Sequence, residues 1–227
     1  NLISYPSSGS TNISAAIPDD VEYLFEAILS EGGAAMNTGN GWVGSLMSFS
    51  GGNGYWVVVE EELSFSYNID GGLGRIAVNK YVETLPEGSE FNVIQSSEQA
   101  FYFVDIDQIE LMKGAIEYGD WLMSYNGNVL TGIRQWQGVM IDIPAMGYSE
   151  NDGNTAGYFV QGDMPTFKLL KNTTGELIEL GGDVDEWTSN GVFTISGLTE
   201  VQSVPEEFGL DSAYPNPFNP VTTLSFK

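Results

Sequence analysis

The chain has 227 residues, with 31 acidic and 7 basic side chains and a formal net charge of −24 at pH 7. A polyanion of this kind repels nucleic acid and anionic lipid headgroups, so neither is an expected partner. The chain has no cysteine and no histidine, which excludes disulfide frameworks, thiolate nucleophiles, serine–histidine pairs and the usual zinc sites. We also expect no membrane span, because no apolar run approaches the ~20 residues that one requires.

The first predicted module covers residues 1–72 and has an α+β composition. The chain opens directly on a strand-like segment, so we expect its N-terminus to be mature, processed or truncated. A helix is predicted to begin at Pro18 and to end at Gly32, because apolar residues recur at the spacing of one helix face. Those apolar residues are Val21, Leu24, Phe25, Ile28 and Leu29. Strands rich in tryptophan and tyrosine are predicted to follow.

Glycines after Asp70 mark a module boundary, and residues 73–90 are assigned to a linker. Residues 91–200 are predicted to contain about seven short strands and no helix. The clearest turn lies at residues 126–128, where an Asn-Gly pair separates two apolar segments. We therefore predict a mainly β fold, in which a small α+β N-terminal module is followed by an immunoglobulin-like β-sandwich.

Residues 201–227 are rich in proline and are predicted to form a tether and one strand. The tether contains the run Tyr214, Pro215, Asn216, Pro217, Phe218, Asn219 and Pro220. Alternate prolines fix the backbone of such a run, and its asparagines can cap the resulting turns. This segment resembles the opening of the type A C-terminal sorting domain of type IX secretion, which exported proteins of the Bacteroidetes and neighbouring phyla carry.

The resemblance implies a sorting signal rather than an enzymatic or binding activity, and it covers only the C-terminal end of the chain. The chain stops at Lys227, after the first of several strands that such a domain needs. Three explanations stay open: truncation, removal of the remainder after export, or pairing of the strand with something else. Residues 42–46 and 162–168 are similar to accessory modules that precede such domains. The implied location is extracellular or at the cell surface, in contact with the secretion and surface-attachment machinery.

A loop rich in oxygen donors offers a candidate calcium site. Glu150, Asp152 and Asn154 surround Gly153, and Ca²⁺ takes six to eight such oxygens in flexible loops. The spacing differs from that of an EF-hand, and a solvated turn would have the same composition. Both interpretations stay open.

Two tryptophans provide a candidate carbohydrate site. Trp121 and Trp136 lie near the predicted hairpin, where a flat ring could stack on a sugar. Burial in the core is the commoner role of tryptophan in a strand. A carbohydrate-binding module of a secreted hydrolase is therefore the alternative function.

No sequence motif marks a catalytic carboxylate pair, a serine–lysine pair or a phosphate-binding loop, and we expect no enzymatic activity. The predicted function is that of a non-catalytic extracellular module for spacing, attachment or assembly. The tail strand could add to a sheet edge of a second copy or of another surface protein, which would give oligomers or filaments.

Overall fold

The computed structural model describes residues 1–69, 84–105 and 115–201. The described strands form sheets of five, seven and two strands, and the helices are single short turns. The prediction of a mainly β fold is confirmed. The sorting motif at residues 214–220 lies outside the described residues, as does most of the predicted linker. No helix in the described part of the chain is long and apolar enough to cross a membrane.

The first unit is built on a five-stranded antiparallel sheet of order β1-β7-β3-β4-β5. Its elements are β1 (Leu2–Ser4), β2 (Ser10–Asn12), α1 (Ile13–Ala16), α2 (Asp19–Glu22), β3 (Phe25–Ser30), β4 (Gly33–Asn37), β5 (Trp42–Gly44), β6 (Ser48–Ser50) and β7 (Gly54–Val59). Strands β2 and β6 form a separate pair. Helix α1 begins where the Asn12 side chain accepts a hydrogen bond from the Ser14 backbone N–H, an N-cap.

The helix predicted between Pro18 and Gly32 is wrong beyond its first turn. Helix α2 ends at Glu22, and the rest of the apolar stretch forms strand β3 between β7 and β4. Strand β3 is buried on both faces, with Ile28 in one hydrophobic cluster and Leu29 in another. A strand buried on both faces carries a nearly continuous apolar run, and such a run also contains the spacing of a helix face.

The second unit is built on a seven-stranded sheet of order β10-β9-β12-β13-β14-β8-β11. Its strands are β8 (Gln99–Val104), β9 (Trp121–Asn126), β10 (Val129–Gln135), β11 (Ile141–Met146), β12 (Thr166–Leu170), β13 (Leu177–Asp183) and β14 (Val192–Glu200). Only the β14–β8 pair in this described sheet is parallel. The predicted hairpin turn is present between β9 and β10, with Gly127 at a φ of 57°.

The seven-stranded sheet curls until its two end strands, β10 and β11, lie against each other. A Cβ atom on Gly132 would lie 1.7 Å from the Pro144 carbonyl oxygen, so only glycine permits this approach. The Ser124 hydroxyl donates a 2.6 Å hydrogen bond to the same carbonyl. The curl encloses a core that includes Tyr102 and Phe167, and the result is sandwich-like.

The two units pack directly on each other. Ala27, Leu29 and Ala34 of the five-stranded sheet form one buried cluster with Phe101 and Phe103 of β8. These two phenylalanines point away from the core of the second unit, because side chains alternate along a strand. The outer face of one sheet is thus covered by the outer face of the other.

Candidate functional site

A buried ion pair joins the two units. Arg134 and Asp142 lie on β10 and β11, and their residues are 8% and 0% exposed. The Arg134 Nη2 donates to Asp142 Oδ2 at 3.0 Å and to the Gly32 carbonyl at 2.6 Å. Asp142 in turn accepts hydrogen bonds from the backbone N–H and the hydroxyl of Ser45, at 2.5 and 3.0 Å. A charge pair of the second unit therefore binds two loops of the first.

The environment of Asp142 acts on its protonation in two opposed ways. Burial raises the pKa of the Asp142 carboxyl, while the Arg134 guanidinium and the Ser45 donors counteract this shift. Loss of either opposing group would leave a carboxyl at 0% exposure with fewer partners. The link between the units thus depends on both charges being present together.

The turn between β3 and β4 is held from a second direction by Gln99 of β8. The Gln99 Nε2 donates to the Ser30 carbonyl at 2.8 Å, and its Oε1 accepts from the Gly32 N–H at 3.2 Å. Gly32 therefore bonds to the second unit through both its N–H and its carbonyl. Backbone groups that the hairpin leaves unpaired are satisfied by side chains of the neighbouring unit.

A groove of about 770 Å³ opens beside this junction, between the five-stranded sheet and the segment that precedes β14. Apart from Tyr23, its apolar lining is buried or half-buried and comes from both units: Phe25, Ala27, Met36, Val58 and Val192. Ligand sites occur preferentially at such boundaries and commonly enclose 300–1,000 Å³. This groove, named here the inter-unit groove, is the candidate functional site.

All charged residues that line the inter-unit groove are acidic. They are Asp19, Glu22, Glu26 and Glu60, and no lysine or arginine is among the lining residues. Asp19, Glu26 and Glu60 are exposed. Glu22 is half-buried, and its Oε1 accepts a 2.6 Å hydrogen bond from the Trp42 indole N–H. The groove is therefore a concave surface of a single charge sign.

Tyr23 and Asn190 complete the chemistry of the groove. Tyr23 is 67% exposed, so its ring is available to a ligand. Asn190 has a φ of 59°, in the left-handed region, and its buried Oδ1 has no hydrogen-bond partner among the described residues. A buried acceptor without a donor is unfavourable, and because this atom is covered it is not in direct contact with the space of the groove.

Of the three residues predicted to bind calcium, Asp152 and Asn154 contact each other, whereas Glu150 lies elsewhere. The Asp152 Oδ1 accepts hydrogen bonds from the backbone N–H and the side-chain amide of Asn154, at 3.0 and 2.8 Å. Asp152 thereby caps the 3-10 turn Gly153–Thr155. Glu150 instead lines a neighbouring groove of about 430 Å³ with Tyr148. No group of three potential acidic metal ligands occurs among the described residues, and the calcium site stays a prediction.

The two candidate tryptophans differ in their surroundings. Trp121 is 4% exposed and packs in a cluster with Met123 and Leu170, so its faces are covered. Trp136 is half-buried and donates from its indole N–H to the Val139 carbonyl at 3.1 Å. Neither residue lines the inter-unit groove. The aromatic residue that lines it with a largely exposed ring is Tyr23, which the sequence did not single out.

A second buried charge site lies just before β9. Asp120 is 0% exposed; its Oδ2 accepts from the Lys171 Nζ at 2.6 Å and from the Glu117 N–H at 2.8 Å. Its Oδ1 accepts from the Asn172 N–H at 2.9 Å. Burial alone would raise the pKa of Asp120, but the Lys171 ammonium and the two N–H donors outweigh it and lower the pKa.

Comparison with models of protein families, with characterised proteins and with solved structures finds no match to this chain.

The Arg134–Asp142 link predicts a non-additive double-mutant cycle. Arg134→Met and Asp142→Leu should each lower the free energy of unfolding by about 3–5 kcal/mol, because each leaves one buried charge unpaired. The double variant should lose clearly less than the sum of the two losses, because it leaves no such charge. Urea unfolding measures all four proteins, and additive losses would contradict the assignment.

The Asp120 site predicts a pH-dependent contribution to stability. A carboxyl whose pKa is lowered by folding stabilises the fold above its unfolded pKa of about 3.9, and this contribution is lost as the pH falls through the folded value. The melting-temperature difference between wild type and Asp120→Asn should therefore be largest at neutral pH and should shrink below about pH 4.

Glu179→Gln serves as the control for this measurement, because Glu179 pairs with Lys168 at the surface and its side chain is 66% exposed. Exposed pairs contribute little, so its difference from wild type should stay small at every pH. A difference for Asp120→Asn that does not change with pH would contradict the role given to its charge.

Proposed function

We propose that this chain is a non-catalytic structural or accessory module of a type IX-secreted cell-surface protein, in which it serves spacing, attachment or assembly. The observation that carries the proposal is the junction between its two units. A spacer must keep what lies before it and what lies after it in a fixed relation. The buried Arg134–Asp142 pair, Gln99 and the shared apolar cluster all act to that end.

The two buried carboxylates of the described chain also support this role, because each joins separate segments. Asp120 and Asp142 are the fully buried acidic residues of the described chain, and each is surrounded by donors from neighbouring segments. Both therefore tie separate segments together. The remaining acidic surface favours solubility outside a cell, since a high net charge keeps proteins apart.

The spacing role predicts a single, narrow distance between the two units in solution. The chain contains no cysteine, so Glu61→Cys and Thr173→Cys would be its only two thiols, one exposed on each unit. Double electron–electron resonance between spin labels at these positions should give one narrow distribution. Adding Arg134→Met should broaden it, because that change removes the bond to Gly32.

A matched control for this measurement is Lys168→Met, which removes a lysine that pairs within the second unit only. This change should leave the distribution narrow. A broad distribution in the labelled protein without either further substitution would refute the spacing role, whatever the variants do.

The proposed location predicts that export depends on the proline-rich segment. The natural precursor, produced in a bacterium with type IX secretion, should reach the cell surface or the medium, whereas a precursor lacking residues 214–220 should remain inside. Cell fractionation with immunodetection measures both, and Glu31→Gln, an exposed substitution, is the control. Equal surface amounts of the deletion and the intact precursor would contradict a role in sorting.

A further inference from the structure

We propose that the inter-unit groove binds a basic peptide segment of a partner protein, with lysine or arginine side chains directed at its carboxylates. The inference deepens the assembly role and rests on it, because it names the chemistry of the partner that such a module would hold. It is carried by the charge, the apolar lining and the exposed tyrosine ring of one groove.

The charge of the groove selects a cationic ligand. Its four acidic residues stand on α2, on β3 and just after β7, without a lining lysine or arginine to neutralise them. A cleft with walls of low dielectric focuses the field of such charges and raises the local concentration of cations. A neutral sugar could donate hydrogen bonds to these carboxylates, but it would not be attracted by their net charge, whereas a cationic ligand gains both.

The arrangement of these carboxylates favours an extended ligand. No three potential acidic ligands in the described chain are grouped as a metal ion requires. The charges are instead distributed over separate elements, around a groove of about 770 Å³. A peptide with several basic side chains matches a distributed set of carboxylates better than one compact ion does.

The apolar lining suits the stems of lysine and arginine. These side chains lay their methylene groups on apolar surface while the charged end reaches polar groups. The side chains of Ala27, Val58 and Val192 have little rotational freedom and form a fixed apolar surface. The flexible side chain of Met36 can adjust to the ligand. The exposed ring of Tyr23 could receive a guanidinium or ammonium on its face, within about 6 Å of the ring centroid.

The groove is lined by residues of both units. Asn190 and Val192 belong to the second unit, while the carboxylates belong to the first. A ligand in the groove would therefore contact both units at once.

The test is a titration of the full chain with a fluorescent peptide of alternating arginine and alanine residues. Its neutral control replaces each arginine by citrulline. We expect saturable binding of the arginine peptide that weakens with added salt, and no binding of the citrulline peptide. Fluorescence anisotropy measures both affinities.

Matched variants separate the groove from the general negative charge of the chain. Glu26→Gln with Glu60→Gln should weaken peptide binding about tenfold, because both carboxylates line the groove. Glu31→Gln with Glu176→Gln removes the same charge from exposed positions that do not line it, and should change binding less than about twofold. Tyr23→Ala should also weaken binding. All these positions are exposed, so unchanged melting temperatures will show that the variants fold.

Three results would overturn the inference. Equal weakening by the two double variants would mean that the peptide senses only net charge. Absence of binding at low salt would mean that the groove takes no basic peptide. Binding of a neutral glycan that depends on Tyr23 but not on Glu26 and Glu60 would assign the groove to carbohydrate. A narrow spin-label distance alongside any of these would leave the spacing role intact, so the two proposals fail separately.

Discussion

The relation between the two sheets depends on an ion pair that is removed from water. Removing Arg134 and Asp142 from water costs desolvation free energy. Their electrostatic attraction offsets this cost only while every hydrogen bond of the pair is in place. Such a pair contributes little net stability compared with apolar residues of similar shape. What it does contribute is selectivity, because an arrangement that displaces Gly32 or Ser45 leaves a buried charge without its partner.

The apolar contact around this pair has the opposite character. Phe101 and Phe103 pack against apolar side chains of the first sheet, a contact that is attractive but not directional. The two kinds of interaction complement each other, since one brings the sheets together and the other fixes how they meet. The inter-unit groove exists only as long as this arrangement is kept, because its lining is shared between the units.

The sequence predicted those features that are set by local pattern. The strand-rich composition and the Asn-Gly turn before Val129 depend on neighbouring residues, and both are present in the structure. The helix beyond Pro18 was predicted wrongly because apolar spacing does not reveal whether a segment is covered on one face or on both. The sequence did not single out Asp142, because its pairing with Arg134, eight residues away, and with Ser45, 97 residues away, is made only by the folded chain. The groove was unpredictable for the same reason: Glu26 and Asn190 meet only after folding.

The parallel pairing of β14 with β8 bears on how the second unit is made. In the sheet order, β14 is the strand that joins the group β10-β9-β12-β13 to the group β8-β11. A nascent polypeptide that has not yet delivered residues 192–200 lacks the strand whose hydrogen bonds join these two groups, which then meet only where β10 lies against β11. Closing them requires contact between the first and last strands of the unit, and contacts so distant along the chain form slowly. The hydrogen-bonded sheet of the second unit is therefore completed by the strand that lies last among its described strands in the sequence.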